Sequence, residues 1–318
     1  MLSAHVEKFD RQDPVSALVV GDRPEPAVPE GWAVVEVRAA SVNHHDIWSL
    51  RGIGLAEQNL PMVLGCDAAG VDEDGQEVVV HAVIQEPARR GAPAVRSVLS
   101  ERHQGTFAER VAVPRENLIP KPAELSFAEA ACLPTAWLTA HTMLFRQAGV
   151  SAGDTVLVQG ASGGLSTALI MLGRAAGLRI WATGRTADKR DYASRIGAHE
   201  VFPNSARLPE RVDAVMDSVG EATWTHSLKA LRPEGTLVVA GATSGHVAKT
   251  EIARIFAHRL RIVGTAMGGS DDLRKLLRFC ALHKITPPVH DVLPLSRARE
   301  AFAAVADGEV RGKIVLQP

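Results

Sequence analysis

One stretch constrains this chain more than any other: Val156-Leu-Val-Gln-Gly160-Ala-Ser-Gly163-Gly164-Leu-Ser-Thr-Ala-Leu-Ile170. An apolar run meets a glycine turn, and the turn opens residues with the apolar spacing of a helix. Glycine lets the backbone turn tightly and come close to a pyrophosphate. The helix start adds unpaired N–H groups and the positive end of the helix dipole. A second apolar run, Arg179-Ile-Trp-Ala-Thr-Gly184, follows at the spacing of a βαβ unit. A glycine loop alone has an ordinary alternative, a flexible βα turn. With a strand before, a helix after and a second strand behind, it points to a dinucleotide held by Gly160, Ala161, Ser162, Gly163, Gly164 and Leu165. The third glycine of such a fingerprint is replaced by Ser166, a small residue that still allows close packing of helix on sheet.

The identity of the nucleotide turns on the end of the second strand. Sites for NAD carry an acidic residue there to hold the ribose 2′-hydroxyl. This chain reads Thr183-Gly184-Arg185-Thr186-Ala187-Asp188-Lys189-Arg190. Gly184 stands in the acid's place, and Arg185 with Lys189 suits a 2′-phosphate. The expected cofactor is therefore NADP(H); the alternative is a solvated basic helix start.

At 318 residues the chain has room for two domains. A formal net charge of −1 gives no reason to expect nucleic acid or an anionic membrane as partner, and no apolar run is long enough to span a bilayer. Met1 to Phe9 lacks the basic-then-apolar pattern of a signal peptide. Cys66, Cys132 and Cys280 are far apart and odd in number, so they read as reduced thiols. These features together lead us to expect a cytoplasmic protein.

The first 120 residues show short apolar alternations, Ala33-Val-Val-Glu-Val-Arg and Glu77-Val-Val-Val-His, broken by Gly, Pro and Asp. They predict an irregular, mainly antiparallel β unit. Ser126 with Glu129 forms a capping box for a helix that Pro134 interrupts, and residues 137–147 read as a further helical stretch. From 155 onward strands alternate with helices: strands at 155–160, 179–184, 200–202, 212–217, 236–240 and 261–267, helices at 164–176, 186–196 and 222–231. That alternation predicts a doubly wound parallel sheet. A helix follows at 271–284, and Gly312-Lys-Ile-Val-Leu is a strand that returns to the first unit. Residues 87–104 read as an exposed loop.

These pieces, in their order, resemble the medium-chain dehydrogenase/reductase superfamily. The matching segments are Val42-Asn43-His-His-Asp46-Ile-Trp48, Pro61-Met-Val-Leu-Gly65-Cys66-Asp67-Ala-Ala-Gly70, Gly105-Thr-Phe-Ala-Glu109, Ala130-Ala-Cys-Leu-Pro134, the glycine loop, Asp217-Ser-Val-Gly220, Gly235-Thr-Leu-Val-Val-Ala-Gly241 and Gly312-Lys313-Ile-Val-Leu316. The resemblance implies an α/β fold. A GroES-like β-rich catalytic domain, 1–120 with 286–318, would be interrupted by a Rossmann domain at 121–285.

It also implies roles. Zinc members bind metal through a Cys, a His-Glu pair and a second Cys; the corresponding positions here are Asn43, Cys66-Asp67 and Thr135. Asn and Thr are poor zinc ligands. His44 and His45, adjacent on an extended segment, would face opposite ways. No metal is therefore expected, and the resemblance narrows to the zinc-independent quinone oxidoreductase and enone reductase branch. Asn43 would donate to the substrate oxygen or tie down its loop. His45 would protonate the product or simply pack, and Asp46 would orient the loop. Trp48, Cys66 and Trp137 would wall the nicotinamide or belong to the core. His44 would lie near the pyrophosphate and Thr139 near the nicotinamide. Gly241, Ala242, Thr243, Ala266 and Met267 would line the carboxamide, and Lys313 would reach the phosphates. In many relatives the sixth strand pairs with its copy, which implies a homodimer.

The expected reaction is hydride transfer from NADPH to an activated C=C or a quinone, a small electrophilic substrate. There the developing charge is delocalised, and a hydrogen bond with a nearby proton source suffices. The alternatives are an alcohol or aldehyde dehydrogenase and a catalytically silent NADPH-binding protein.

Overall fold

The computed structural model describes residues 1–86 and 95–318. It divides into two compact units, Met1–Thr135 with Gly269–Pro318, and Ala136–Gly268. These boundaries fall 15 to 17 residues inside those expected for the nucleotide domain.

The second unit is a six-stranded parallel sheet in the order Glu200–Pro203, Arg179–Gly184, Thr155–Val158, Val212–Asp217, Leu231–Val239, Arg261–Gly264. Thr155–Val158 is buried along its whole length and Val212–Asp217 at every position but Asp213, which is why they read as largely apolar rather than as alternations. Leu157, Trp181, Val215 and Leu237 pack into one core. Chain order reverses between Thr155–Val158 and Val212–Asp217. The carboxyl ends of the strands on either side of that reversal are where open α/β sheets bind ligands.

The Leu231–Val239 strand starts five residues before the expected 236, because Glu234 takes a left-handed conformation (φ 67°) and lets the chain continue through an irregular register. The helix capped by Ser126, Phe127–Ala130, ends before Pro134 as expected. Leu133–Trp137 widens into a π segment that runs straight into the helix Leu138–Thr142. Wider turns shift the backbone pairing that proline cannot join.

In the first unit the strand Trp32–Ser41 pairs antiparallel with Asp67–Asp72, with Arg110–Pro114 and with the C-terminal strand Lys313–Gln317. Ser41 lies opposite Asp67 on one side and Val315 on the other. That register brings residues 42–43, 67 and 313 together although they are far apart in sequence. Val35, Leu64, Phe107 and Phe302 belong to the core of this unit. Of the segment expected to be an exposed loop, 87–94 lies outside the described residues, while Val95–Val98 pairs antiparallel with Val83–Glu86. Among the described residues no helix is long and apolar enough to cross a membrane.

Candidate active site

The first unit holds two adjoining polar networks beneath one short helix, His44–Leu50. Asp46 in its first turn accepts the Asn43 N–H at 2.8 Å and so caps it. His44 and His45 therefore sit on a helix rather than on the extended segment expected. His44 is exposed, and His45 turns inward.

In the first network the Lys313 ammonium donates to the Val42 carbonyl at 2.8 Å and to Asn43 Oδ1 at 2.5 Å, and stands 3.4 Å from Asp67 Oδ2. Asp67 Oδ2 also accepts from Ser41 Oγ at 2.7 Å and Asn43 Nδ2 at 2.8 Å. Lys313 and Asp67 are both buried, so the pair is held by neighbours that satisfy it rather than by water. Two expectations change. Asn43 spends its amide on Asp67, Ser41 and Lys313, so it anchors its loop instead of offering a donor to a substrate. Lys313 spends its charge inside this unit, which leaves it turned away from a phosphate role.

In the second network His45 Nε2 meets Glu101 Oε1 at 3.1 Å. Its Nδ1 lies 3.3 Å from Cys66 Sγ and 4.0 Å from Asp46 Oδ1. Asp46 Oδ1 is buried without another partner. Burial opposes charge on His45, but the Cys66 sulfur, Asp46 and Glu101 more than offset it. The imidazole pKa stands well above the ordinary histidine value. Burial pushes the Cys66 thiol up, and its S–H points to the Leu99 carbonyl at 3.2 Å. These partners favour the protonated ring, which lies between the Glu101 and Asp46 carboxylates. Trp48 keeps partial exposure. Cys66 and Trp137 have none, each being packed into its own unit, so neither offers the open wall expected of it.

In the second unit the expected nucleotide residues gather at the carboxyl ends of the parallel strands. Gly160 has φ +87°, a conformation that side chains resist, and its position is open apart from Val219. Gly163 is the N-cap of the helix Gly164–Ala175, with nothing nearer a potential Cβ than Ser166 Oγ at 3.9 Å. The space beside the Gly163 α-carbon at this helix start is therefore open. Ala161 and Ser162 are buried behind the turn, Leu165 is half-buried, and Thr139 is buried on the helix Leu138–Thr142.

Gly184 ends the second strand. A side chain there would meet Arg190 Cγ at 3.0 Å and the Ala161 methyl at 3.1 Å, so a carboxylate would enter only if these neighbours gave way by a few tenths of an ångström. Arg185 is exposed beside it, Lys189 lies one helical turn on, and Arg190 donates to the Gly184 carbonyl at 2.9 Å. Gly241, Ala242 and Thr243 follow the fifth strand, tied to Ser218 through the Thr243 N–H. Ala266 and Met267 follow the sixth. These residues form the cradle expected to hold a dinucleotide.

Residues 29–123 match the family model for the alcohol dehydrogenase GroES-like domain, and residues 164–281 that for the zinc-binding dehydrogenase. A 2-methylene-furan-3-one reductase of Solanum lycopersicum is 30% identical over 92% of this chain and 73% of its own length. The chain belongs to the medium-chain dehydrogenase/reductase superfamily. A probable quinone oxidoreductase of Schizosaccharomyces pombe is 29% identical, covering 95% of this chain and 93% of its own. The crystal structure of an NAD-dependent alcohol dehydrogenase superposes with a TM-score of 0.91 at 32% identity, covering all of both chains. Oxidoreductases of both the reductase and the alcohol dehydrogenase kind are thus relatives of this member.

Zinc members of the superfamily raise the question of whether this one can hold the metal. At the expected ligand positions Asn43 and Asp67 are already bound to the Lys313 ammonium, and Thr135 offers only a hydroxyl. His45, Asp46 and Cys66 do bring three donor atoms within 4.8 Å of one another. Their hydrogen bonds run the other way: the Cys66 S–H is given to a carbonyl, and both ring nitrogens of His45 face acceptors. A thiolate and a free imidazole lone pair are what zinc requires, so an ion here would have to displace those protons on binding.

Sequence reasoning missed Glu101, which lies 56 residues from His45 in a segment read as loop. It also missed Asp217. That side chain accepts the Val219 and Gly220 N–H groups and the Thr223 and Ser227 hydroxyls, fixing the turn after the fourth strand. The Asp217-Ser-Val-Gly220 motif was its signal.

Proposed function

We propose that this protein is an NADPH-dependent reductase of an activated C=C or a quinone that works without zinc. The observation that carries the reading is the His45 array, a half-buried imidazole held between Glu101 and Asp46 and in reach of Cys66, with Asn43 and Thr135 standing where zinc members have cysteines. A proton store without a Lewis acid suits an acceptor whose charge is already delocalised.

When bound, NADPH supplies a hydride from the nicotinamide C4. Gly160, Gly163 and the helix start behind them hold its pyrophosphate, and Arg185 with Lys189 and Arg190 holds the 2′-phosphate. Gly241, Ala242, Thr243, Ala266, Met267 and Thr139 line the nicotinamide end. His45 gives its proton to the enolate or hydroquinone oxygen, and Glu101 keeps the ring oriented for that transfer. Asn43, Asp46 and Lys313 hold the helix that carries His45.

The alcohol dehydrogenase relative favours a second reading, oxidation of an alcohol with NADP⁺. Assays of NADPH oxidation with enones and quinones, run beside alcohols with NADP⁺, separate the two. Turnover confined to alcohols overturns the proposal.

The Arg261–Gly264 strand closes one edge of the sheet with an unpaired side, and Ile252, Phe256 and Ile262 are exposed close to it in sequence. An open edge flanked by apolar side chains supports a homodimer that pairs this strand with its copy.

A further inference from the structure

A buried chain of polar side chains runs under the glycine turn of the second unit, and Gln159 is its centre. Gln159 directly precedes Gly160 and is 1% exposed. Its Oε1 accepts from the Thr183 hydroxyl at 2.8 Å, and Thr183 Oγ1 in turn accepts the Gly160 N–H at 3.2 Å. Its Nε2 donates to Ser227 Oγ at 3.0 Å and to His226 Nδ1 at 2.9 Å. The Ser227 hydroxyl donates to Asp217 Oδ2 at 2.6 Å, while Asp217 Oδ1 accepts the Val219 and Gly220 N–H groups.

These bonds have one consistent direction. A carboxylate only accepts, so Ser227 gives its proton to Asp217 and receives one from the Gln159 amide. That fixes the amide, with its nitrogen toward Ser227 and His226 and its oxygen toward Thr183. Thr183 spends its proton on that oxygen and keeps its lone pairs for the Gly160 N–H. His226 accepts at Nδ1 and so carries its hydrogen on Nε2, which donates to the Ala206 carbonyl at 2.9 Å. Both amide hydrogens and the amide oxygen of Gln159 are thus spent inside the fold. Hydrogen bonds ordered in one direction and shielded from water strengthen one another.

The chain joins loops that the sequence keeps apart. Thr183 directly precedes Gly184 and Arg185 at the end of the second strand. Asp217 sets the turn after the fourth strand. In that turn the Val219 carbonyl accepts the Ser244 hydroxyl at 2.7 Å, from the loop that follows the fifth. Gly160, at φ +87°, turns its N–H inward to meet Thr183. Thr183, Ser227 and Asp217 are all fully buried, so they shape the glycine turn from beneath.

We propose that Gln159 is a positioning residue for the dinucleotide. Through Thr183 it holds the Gly160 turn in the shape that receives the pyrophosphate, and through Ser227 it keeps that turn in register with the one at Asp217. The proposal rests on the dinucleotide reading of the glycine loop.

The test compares Thr183→Val, Thr183→Ser and Gln159→Leu with the unmodified full-length protein. Valine keeps the shape of threonine without the hydroxyl, and serine restores the hydroxyl. We expect the dissociation constant for NADP⁺, measured by calorimetry, to rise about tenfold in Thr183→Val and in Gln159→Leu, the scale of one hydrogen bond. Thr183→Ser stays within about twofold. In Q159L/T183V the loss is no larger than in Gln159→Leu alone, because the two residues act as one chain. Unchanged NADP⁺ binding in Thr183→Val, or a loss that serine does not restore, overturns the proposal.

Backbone hydrogen exchange separates positioning from general loosening. In Thr183→Val the Gly160 amide exchanges faster, while the amides of Leu157 and Val215, inside the neighbouring strands, keep their rates. Equal acceleration at all three assigns the loss to the stability of the whole unit and overturns the proposal. Should Gln159→Leu fail to fold, the valine and serine pair decides the matter alone. If the unmodified protein binds neither NADP⁺ nor NAD⁺, the dinucleotide reading fails and the proposal falls with it. If it binds and the variants bind equally well, only the positioning role falls.

Discussion

His45 Nε2 stands 3.1 Å from Glu101 Oε1, joining the helix that follows Asn43 to a loop 56 residues away. The ring is thereby aimed, with its other nitrogen toward Cys66 and Asp46. The partners of His45 outweigh its burial and raise its pKa well above the ordinary histidine value.

That raised pKa has a sign that can be checked. The reduction needs protonated His45, so its rate is flat at low pH and falls as pH rises through the folded pKa. Glu101→Gln removes one of the partners that raise it, and the fall moves to lower pH. Linkage runs the same way: the stability that His45 contributes is complete below its unfolded value of about 6.5 and is lost as pH climbs through the folded one. Rate profiles against pH, with NMR titration of the ring, test both. An unmoved profile in the variant shows that Glu101 does not set the proton.

Lys313 and Asp67 form a buried ion pair, 3% and 0% exposed. Lys313→Met leaves the carboxylate without its cation and lowers stability by about 3–5 kcal/mol. The double change K313M/D67N recovers part of that loss, since it removes the charge left alone. Chemical denaturation of the three proteins measures it.

Much of this was legible in the sequence, and the parts that were not share a cause. The parallel sheet follows from apolar runs such as Val156–Val158 and from the helices between them, all local signals. The cap at Ser126 was legible because its partner Glu129 is three residues away. The Lys313–Asp67 contact spans 246 residues and depends on the register of Trp32–Ser41 with two neighbours, which composition does not encode. Glu101 lies in a segment with no periodicity. The sequence leaves Asn43 between a substrate donor and a loop anchor because an amide can do either; only the packing shows where its hydrogens go.

The donor set around His45 and Cys66 leads to an expectation about metal. Protein purified without chelator and analysed by mass spectrometry of its elements should hold zinc well below one equivalent per chain, and chelator should leave reductase activity unchanged. One tightly held zinc that Cys66→Ser removes would assign the site to a metal.

The open strand edge predicts assembly. Sedimentation velocity should give twice the 33.9 kDa chain mass, and Ile262→Asp should shift the protein toward the monomer. A charge on the pairing edge adds repulsion between two copies where apolar contact is needed. A monomer in the unmodified protein contradicts the pairing.

The account depends most on the cradle after Thr155–Val158 and the cations after Gly184. Calorimetry with NADPH and NADH, on the unmodified protein and on Arg185→Ala, measures it directly. NADPH should bind more tightly than NADH, and the variant should lose roughly 1–3 kcal/mol of NADPH binding while NADH changes little. Tighter binding of NADH, or no heat of association with either, would contradict it.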